Sequence, residues 1–133
     1  MVRIIVFDDV LLYCLGMKIA FKKIRDIHVA GEAYCAEGIF ELLPKTPVDV
    51  VLLGVNMPDQ SGCVDIAKRL RHDYPAIKII AVTDEDNNGV IQSLWDTGID
   101  ACIGKREANS HVLATMIRKV TANGEKTEKE FTS

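Results

Sequence analysis

Short apolar runs are the feature of this sequence that most restricts its fold. They cover residues 4–7, 48–53, 77–82 and 101–103, and a weaker run covers residues 27–30. Residues 4–7 and 50–53 are continuously apolar instead of alternating with polar residues, which is typical of strands buried on both faces. Strands of that kind belong to parallel sheets that helices cover on both sides. The runs therefore predict a five-stranded parallel sheet in the middle of the molecule.

The segments between the runs have the periodicity of amphipathic helices. The predicted helices cover residues 11–25, 36–43, 64–71, 90–96 and 112–121. The first has an apolar stripe formed by Leu12, Leu15, Ile19 and Ile24. A stripe like this is the face that a helix turns toward the core. A strand followed by a helix, repeated along the chain with right-handed crossovers, gives an α/β doubly wound three-layer sandwich.

Length and charge fit one globular domain. The chain has 133 residues, of which 48% are hydrophobic and 26% charged, so it is too apolar to be disordered. Its 16 basic and 19 acidic residues give a net charge of −3, whereas a surface that binds nucleic acid needs clustered Lys and Arg. We assign residues 1–122 to one domain and residues 123–133, which have no apolar period, to a tail or the start of a linker. Any contact with DNA is expected outside this segment.

The cysteines favour a reducing compartment. No two of them have the spacing of a zinc site, and each has apolar or small neighbours; they are Cys14, Cys35, Cys63 and Cys102. We expect buried, reduced thiols and hence a cytoplasmic protein. The N-terminal segment leaves no room for a signal peptide, and no apolar run approaches the roughly 20 residues of a membrane span.

Polar side chains and glycines follow the predicted strands at the edge of the sheet where doubly wound proteins place their working site. They are Asp8, Asp9, Gly54, Thr83, Gly104 and Lys105. Two adjacent carboxylates repel each other unless a cation shares their site, so Asp8 and Asp9 suggest a Mg²⁺ pocket within reach of Lys105. The alternative is that one of the two acids caps the first helix.

Four motifs, in order along the chain, carry a resemblance to a known family. They are IIVFDD at residues 4–9, VVLLGVNMPDQSG at residues 50–62, AVT at residues 81–83 and GIDACIGK at residues 98–105. In these motifs the chain resembles the receiver domain of bacterial two-component response regulators. GEA at residues 31–33 and VTANG at residues 120–124 resemble the subclass whose receiver precedes a LuxR-type helix-turn-helix domain. The resemblance implies a flavodoxin-like (βα)5 fold with a five-stranded parallel sheet.

The resemblance also implies roles for the residues at the strand ends. By position, the acid pair Asp8 and Asp9, together with a carbonyl at Asn56, would hold Mg²⁺. Thr83 and Lys105 would contact a phosphoryl group after its transfer to the domain.

Two positions depart from the family pattern. Where the family has the aspartate that accepts phosphate from a histidine kinase, this chain has Gly54, and Cys102 replaces a mobile aromatic residue. Glycine has no side chain to phosphorylate, and neighbouring strand residues point to the opposite face. With the third carboxylate missing, we expect Mg²⁺ to bind weakly or not at all. We also expect Lys105 to form an ion pair with Asp8 or Asp9.

The sequence therefore predicts a degenerate receiver, a regulatory module of a transcriptional regulator that acts without phosphorylation and through a homodimer. DNA would be reached only through a C-terminal helix-turn-helix domain outside this chain. One alternative retains phosphotransfer from a histidine kinase or another signalling protein, with Mg²⁺ and an unusual acceptor such as Asp59 or Asp84. A second alternative is a protein-interaction module that does not switch.

Two enzyme or cofactor classes built on related sheets are disfavoured. A haloacid-dehalogenase-like phosphatase needs two acids separated by one residue, whereas Asp8 and Asp9 are adjacent. A nucleotide-binding or flavin-binding protein needs a loop rich in Gly, Ser or Thr after the first strand, and two carboxylates there would repel phosphate. We therefore expect no enzymatic activity.

Overall fold

A single parallel sheet organises the protein, whose computed structural model describes residues 1–56, 60–84 and 88–123. Its strands are β1 (Val2–Phe7), β2 (Ile27–Ala33), β3 (Val50–Val55), β4 (Lys78–Thr83) and β5 (Ala101–Gly104). They lie in the order β2-β1-β3-β4-β5, and every ladder is parallel. The predicted α/β fold class is confirmed.

The helices follow the strands in alternation. They are α1 (Leu11–Phe21), α2 (Ala36–Leu42), α3 (Gln60–Asp73), α4 (Asn88–Thr97) and α5 (Ser110–Asn123). A short 3₁₀ turn, Leu43–Lys45, follows α2, because Pro44 has no N–H to continue the α-helical ladder. At the start of α5 the Asn109 side chain accepts a hydrogen bond from the Val112 N–H at 2.9 Å. Of the predicted tail, residues 123–133, Asn123 is instead the last residue of α5, and residues 124–133 lie outside the described part of the chain.

The core lies on both faces of the sheet because alternate residues of a strand point to opposite sides. On the side of α1 and α5 the strands contribute Ile4, Val6, Val50, Leu52, Ile80, Val82, Ala101 and Ile103. On the side of α2, α3 and α4 they contribute Ile5, Phe7, Val51, Leu53, Val55, Ile79, Ala81 and Cys102. Burial of both sets explains why the strands have continuous apolar sequences.

Helix α1 differs from its prediction in its end and in the face that it buries. It ends at Phe21, after which the chain turns and brings Ile24 into the core. Leu12, Leu15 and Ile19, predicted to face the core, are instead 78%, 39% and 64% exposed. The helix has a second apolar stripe, which packs on the sheet and consists of Tyr13, Cys14, Met17 and Phe21. The stripe that contains the two aromatic rings takes the core, and the aliphatic one remains outside.

Three of the four cysteines are buried as predicted, but Cys35 is exposed. Cys35 is the N-cap residue of α2, where the chain leaves the sheet at its carboxyl edge. Apolar neighbours in sequence do not bury a residue at such a helix start, so the prediction was wrong for Cys35. Within the described ranges, no helix combines the length and the apolar character that crossing a membrane requires.

Candidate functional site

Parallel pairing brings the predicted site residues to the carboxyl edge of the sheet. The register between β1 and β3 places Asp8 beside Gly54. The pairings of β3 with β4 and of β4 with β5 bring Thr83 and Lys105 to the same edge. Asn56 follows β3 directly and completes the group.

The ion pair between Lys105 and Asp8 is the centre of the site. Lys105 Nζ lies 2.8 Å from Asp8 Oδ2, and the Asp8 side chain has no exposed surface. The same ammonium donates to Asn56 Oδ1 at 2.6 Å and lies 4.1 Å from the centre of the Tyr13 ring. The predicted ion pair is therefore present, with Asp8 as the acid and with an amide oxygen and an aromatic face as further partners of Lys105.

Asn56 joins the two acids. Its Nδ2 donates to Asp8 Oδ1 at 2.7 Å and to Asp9 Oδ1 at 2.6 Å. One amide group thus spaces the two carboxylates, while its oxygen contacts the lysine. Asp8 Oδ1 also accepts the Val10 N–H at 2.9 Å, in a turn just before α1. The alternative role in helix capping is wrong for α1, because Val10 is its N-cap residue and no side chain makes a capping hydrogen bond there.

Gly54 leaves room that Asp8 occupies. A Cβ atom at this position would collide with Asp8 Oδ2, and it would lie 2.8 Å from Asp8 Cγ and 2.9 Å from the Phe7 carbonyl oxygen. Any side chain here requires the Asp8 carboxylate and the adjacent backbone to shift. Two strands of the sheet hold this contact, and sequence reasoning did not anticipate it.

Thr83 and Asp84, two of the other predicted residues, also lie at this edge of the sheet. Thr83 is buried, and its hydroxyl donates to the Ile103 carbonyl oxygen at 3.4 Å. Cys102 lies in the core on the side of α3 and α4. Asp84 is exposed after β4, and its backbone N–H donates to the Val55 carbonyl oxygen at 2.9 Å. Asp59, the other alternative acceptor, lies outside the described residues.

Two residues of α1 belong to the site although sequence reasoning missed them. Burial and, secondarily, the negative charge of Asp8 raise the pKa of Tyr13 to about 12. The same two causes raise the pKa of Cys14 to about 11. Both groups therefore stay neutral near pH 7, and the Cys14 thiol donates to the Asp8 carbonyl oxygen at 3.5 Å. Their place in the first turn of α1, a few residues after the acid pair, was the only signal in the sequence.

The fold and the site together define a class, the receiver modules that end their first strand with acids and their fifth with a lysine. The family model of the response regulator receiver domain matches residues 4–118. The chain belongs to this family.

Individual relatives agree with this assignment. The chain is 25% identical to the transcriptional regulatory protein DegU of Brevibacillus brevis, over 92% of this chain and 51% of that protein. It is 26% identical to the response regulator UvrY of Escherichia coli K12, over 87% of this chain and 53% of UvrY. The chain thus spans about half the length of these relatives.

Solved structures show the same fold. The isolated receiver domain of RcsB from Salmonella enterica serovar Typhimurium, with phosphomimetic BeF3-, superposes with a TM-score of 0.81 at 21% identity, covering 97% of this chain and 94% of that one. The non-phosphorylated receiver domain of RcsB from Escherichia coli also gives 0.81, at 22% identity, covering 96% and 97%.

Receiver domains generally bind Mg²⁺, but the side chains here do not fit a resident ion. Mg²⁺ prefers carboxylate oxygens and retained waters in octahedral geometry. The inner acid, Asp8, already contacts a lysine, an amide and a backbone N–H. In the described part of the chain, no group of three His, Cys, Asp or Glu residues is placed to hold a metal. Lys105 supplies the positive charge that a metal would otherwise provide.

Proposed function

We propose that this receiver regulates without phosphorylation, as the self-associating regulatory module of a two-component-type transcriptional regulator. The observation that carries the proposal is the Asp8 carboxylate beside Gly54, in the space that a side chain at residue 54 would need. By position, that side chain would be the phosphoacceptor. The charge that Lys105 would offer to a phosphoryl group is instead neutralised within the chain.

The two side chains that would respond to phosphorylation, those of Thr83 and Cys102, already contact other parts of the domain. The Thr83 hydroxyl donates to the backbone of β5. Cys102 is small and lies in a packed core, so it has no ring to move between two pockets. These contacts favour a domain that stays in one state, with Mg²⁺ binding weak or absent.

The alternative of an unusual acceptor gains little support from Asp84. This residue is exposed, whereas the Asp8 side chain is fully buried and that of Lys105 is only 17% exposed. In-line phosphoryl transfer depends on tight positioning of the nucleophile against the cationic groups. An exposed residue beyond β4 does not offer that positioning.

The names of the relatives support the wider role. DegU is a transcriptional regulatory protein, and one matched structure is of two RcsB dimers bound to two parallel DNAs. For this chain we propose a homodimer in the cytoplasm, with DNA reached through a C-terminal helix-turn-helix domain. A histidine kinase or another signalling protein would be a binding partner without being a phosphate donor.

Intact mass spectrometry tests the proposal. The protein is incubated with acetyl phosphate and Mg²⁺, beside a phosphorylatable receiver as the positive control for the assay. We expect no phosphoryl adduct on this chain, while the control acquires one that hydroxylamine removes. A hydroxylamine-labile adduct on this chain would overturn the proposal, and peptide mapping would then identify the acceptor.

A further inference from the structure

A groove of about 310 Å³ lies between the end of α1 and the first half of β2. Its floor is apolar and includes Phe21, Ile24 and Ile27, which are between 1% and 9% exposed. Within the described residues β2 pairs with β1 alone, so it is an edge strand of the sheet. The groove therefore runs beside an unpaired strand, at the amino edge of the sheet where the strands begin.

The backbone of β2 can bind a further strand along this groove. The Val2 N–H donates to the Asp26 carbonyl oxygen at 2.8 Å, just before β2 begins. Because the bonds of a parallel ladder alternate along a strand, the backbone groups of His28 face β1. Those of Val29 and the carbonyl oxygen of Ile27 face outward. Such outward-facing groups on an edge strand bind an extended segment whose side chains suit the surroundings.

Basic side chains form the rim of the groove. They are exposed and belong to Lys18, Lys22, Arg25 and His28. Lys22 and Arg25 have no ion pair within the described residues. Lys18 lies 3.9 Å from Glu32 with half of its side chain exposed, and an exposed pair of this kind stabilises little. The rim is therefore positively charged, although the whole chain has a net charge of −3.

The acid nearest to the rim does not neutralise it. Asp26 follows Arg25 directly, but its two carboxylate oxygens accept hydrogen bonds from Arg118 of α5, each at 2.8 Å. This bidentate pair occupies the carboxylate and leaves the guanidinium of Arg25 to the solvent. The positive charge of the rim is thus available to a ligand from outside the domain.

Charge and shape together select an acidic polypeptide as the occupant. A second copy of this chain, pairing β2 with β2, would bring the same bases together, and like charges repel across a strand pair. Single-stranded nucleic acid needs an exposed ring on which a base can stack, whereas Phe21, the one Phe, Tyr or Trp that lines the groove, is 1% exposed. An extended segment with carboxylates and apolar side chains matches the strand, the floor and the rim at once.

We propose that the groove between α1 and β2 binds a short, extended, acidic segment of a partner protein, which adds to the sheet beside β2. Carboxylates of the segment contact Lys22 and Arg25, and an apolar side chain packs on Ile24 and Ile27. Main-chain hydrogen bonds supply affinity, and the side chains supply specificity. The proposal is independent of phosphorylation, because the groove lies at the opposite edge of the sheet from Asp8.

Fluorescence anisotropy tests the groove with the whole 133-residue chain. The probe is a labelled heptapeptide in which Glu and Val alternate, with Glu at both ends, at low salt where surface charges are least screened. We expect saturable binding, and none for the same peptide with Lys in place of Glu. Lys22→Glu should weaken binding by about tenfold or more, because attraction becomes repulsion.

The matched control is Lys23→Glu. It makes the same charge change one residue further along, on an exposed side chain that does not line the groove. It should leave the affinity within about twofold, since a charge outside the contact is largely screened. Both lysines are exposed, so neither replacement should unfold the domain, and circular dichroism checks this.

Backbone methylation and NMR test the addition of a strand. A peptide N-methylated at its central Val and at the preceding Glu retains its charge but loses a donor on each edge. It should bind at least about tenfold more weakly, because main-chain hydrogen bonds hold an added strand. The amide of Val29, which faces outward, should shift and exchange more slowly with solvent when the unmethylated peptide is bound.

Four results would overturn the proposal. One is the absence of saturation up to about 1 mM protein, where the binding free energy would be weaker than about −4 kcal/mol. Equal losses in Lys22→Glu and Lys23→Glu would place the contact outside the groove. Equal affinity of the methylated peptide would exclude strand addition. Competition by a single-stranded oligonucleotide as strong as that of the unlabelled peptide would identify a nucleic-acid surface instead.

Discussion

Two buried carboxylates, those of Asp100 and Asp8, lie at opposite edges of the sheet and have different kinds of partners. Asp100 enters β5 from the amino edge, where Arg71 Nη2 donates to its Oδ2 at 2.9 Å and the Ile79 N–H donates at 2.8 Å. Arg71 Nη1 also donates to the carbonyl oxygens of Pro75 and Ile77. Asp8, at the carboxyl edge, is held by side chains from separate loops. The Arg71–Asp100 pair fastens α3 to the sheet, whereas Asp8 occupies the space that a side chain at residue 54 would need.

The difference lies in what surrounds each acid. The Arg71–Asp100 pair also hydrogen-bonds the backbone of Pro75, Ile77 and Ile79, and these bonds fix its geometry. The Lys105 pair depends on Asn56, Tyr13 and the missing side chain at Gly54, and each of these is a single replaceable group. We infer that the Arg71–Asp100 pair stabilises the fold. We infer that the Lys105–Asp8 pair belongs to the remnant of a functional site. Four substitutions test this contrast.

Arg71→Met should have the largest effect. It leaves the buried carboxylate of Asp100 without its cation and removes the donors to two carbonyl oxygens. Breaking a buried pair from one side costs about 3–5 kcal/mol of unfolding free energy. Urea unfolding measures it, and Arg69→Met, which removes an exposed i,i+4 pair with Asp73, is the control. A loss no larger than that of the control would contradict a structural role.

Lys105→Met should cost less, about 2–4 kcal/mol, because Asn56 and the Val10 N–H still bind Asp8. The stability of this variant should also depend on Mg²⁺, since two neighbouring carboxylates without a cation can bind the ion. We expect Mg²⁺ to restore part of its stability and to leave the unsubstituted protein unchanged. Equal Mg²⁺ dependence in the two proteins would show that Lys105 does not take the place of a metal.

Gly54→Asp should destabilise the domain by about 1–3 kcal/mol without metal, because a third carboxylate joins two others and Asp8 must move. Gly54→Ala is the matched control, since it has the same steric conflict without the charge. Mg²⁺ should stabilise the aspartate variant and have no effect on the alanine variant. If both variants are as stable as the original chain, Asp8 does not need the space beside Gly54.

The exposed pair between Asp26 and Arg118 should have the smallest effect. Arg118 Nε lies 2.8 Å from Asp26 Oδ2, and its hydrogen bonds lower the pKa of Asp26 from 3.8 to about 2. A lowered carboxyl pKa stabilises the fold above pH 3.8, and this contribution is lost as the pH falls through about 2. An NMR titration of Asp26 should give the low value, returning toward 3.8 in Arg118→Gln. An unchanged pKa in the variant would mean that the pair does not form in solution.

Much of the fold was predictable because it depends on local pattern. Continuous apolar runs in β1, β3 and β4 require burial on both faces, whatever the rest of the chain does. The polar residues that follow the strands had to meet at one edge of a parallel sheet. The ion pair of Lys105 was predictable for the same reason, once residue 54 offered no carboxylate.

Other features needed the packed structure. Helix α1 has two apolar stripes, and periodicity alone could not decide that Phe21 would be buried while Leu12 stayed outside. Cys35 looked buried from its neighbours, but its place at the start of α2 exposes it. The resemblance gave Asn56 a carbonyl role and no role for its side-chain amide nitrogen, which binds both acids.

The sequence by itself determined the parallel sheet, the family and the lack of a side chain at residue 54, because these follow from residue types along one strand or at its end. Only the tertiary structure decided that Asp8 enters the space beside Gly54 and that α1 presents a second apolar face. Both depend on which side chains compete for the same volume, and that competition exists only when distant segments pack together.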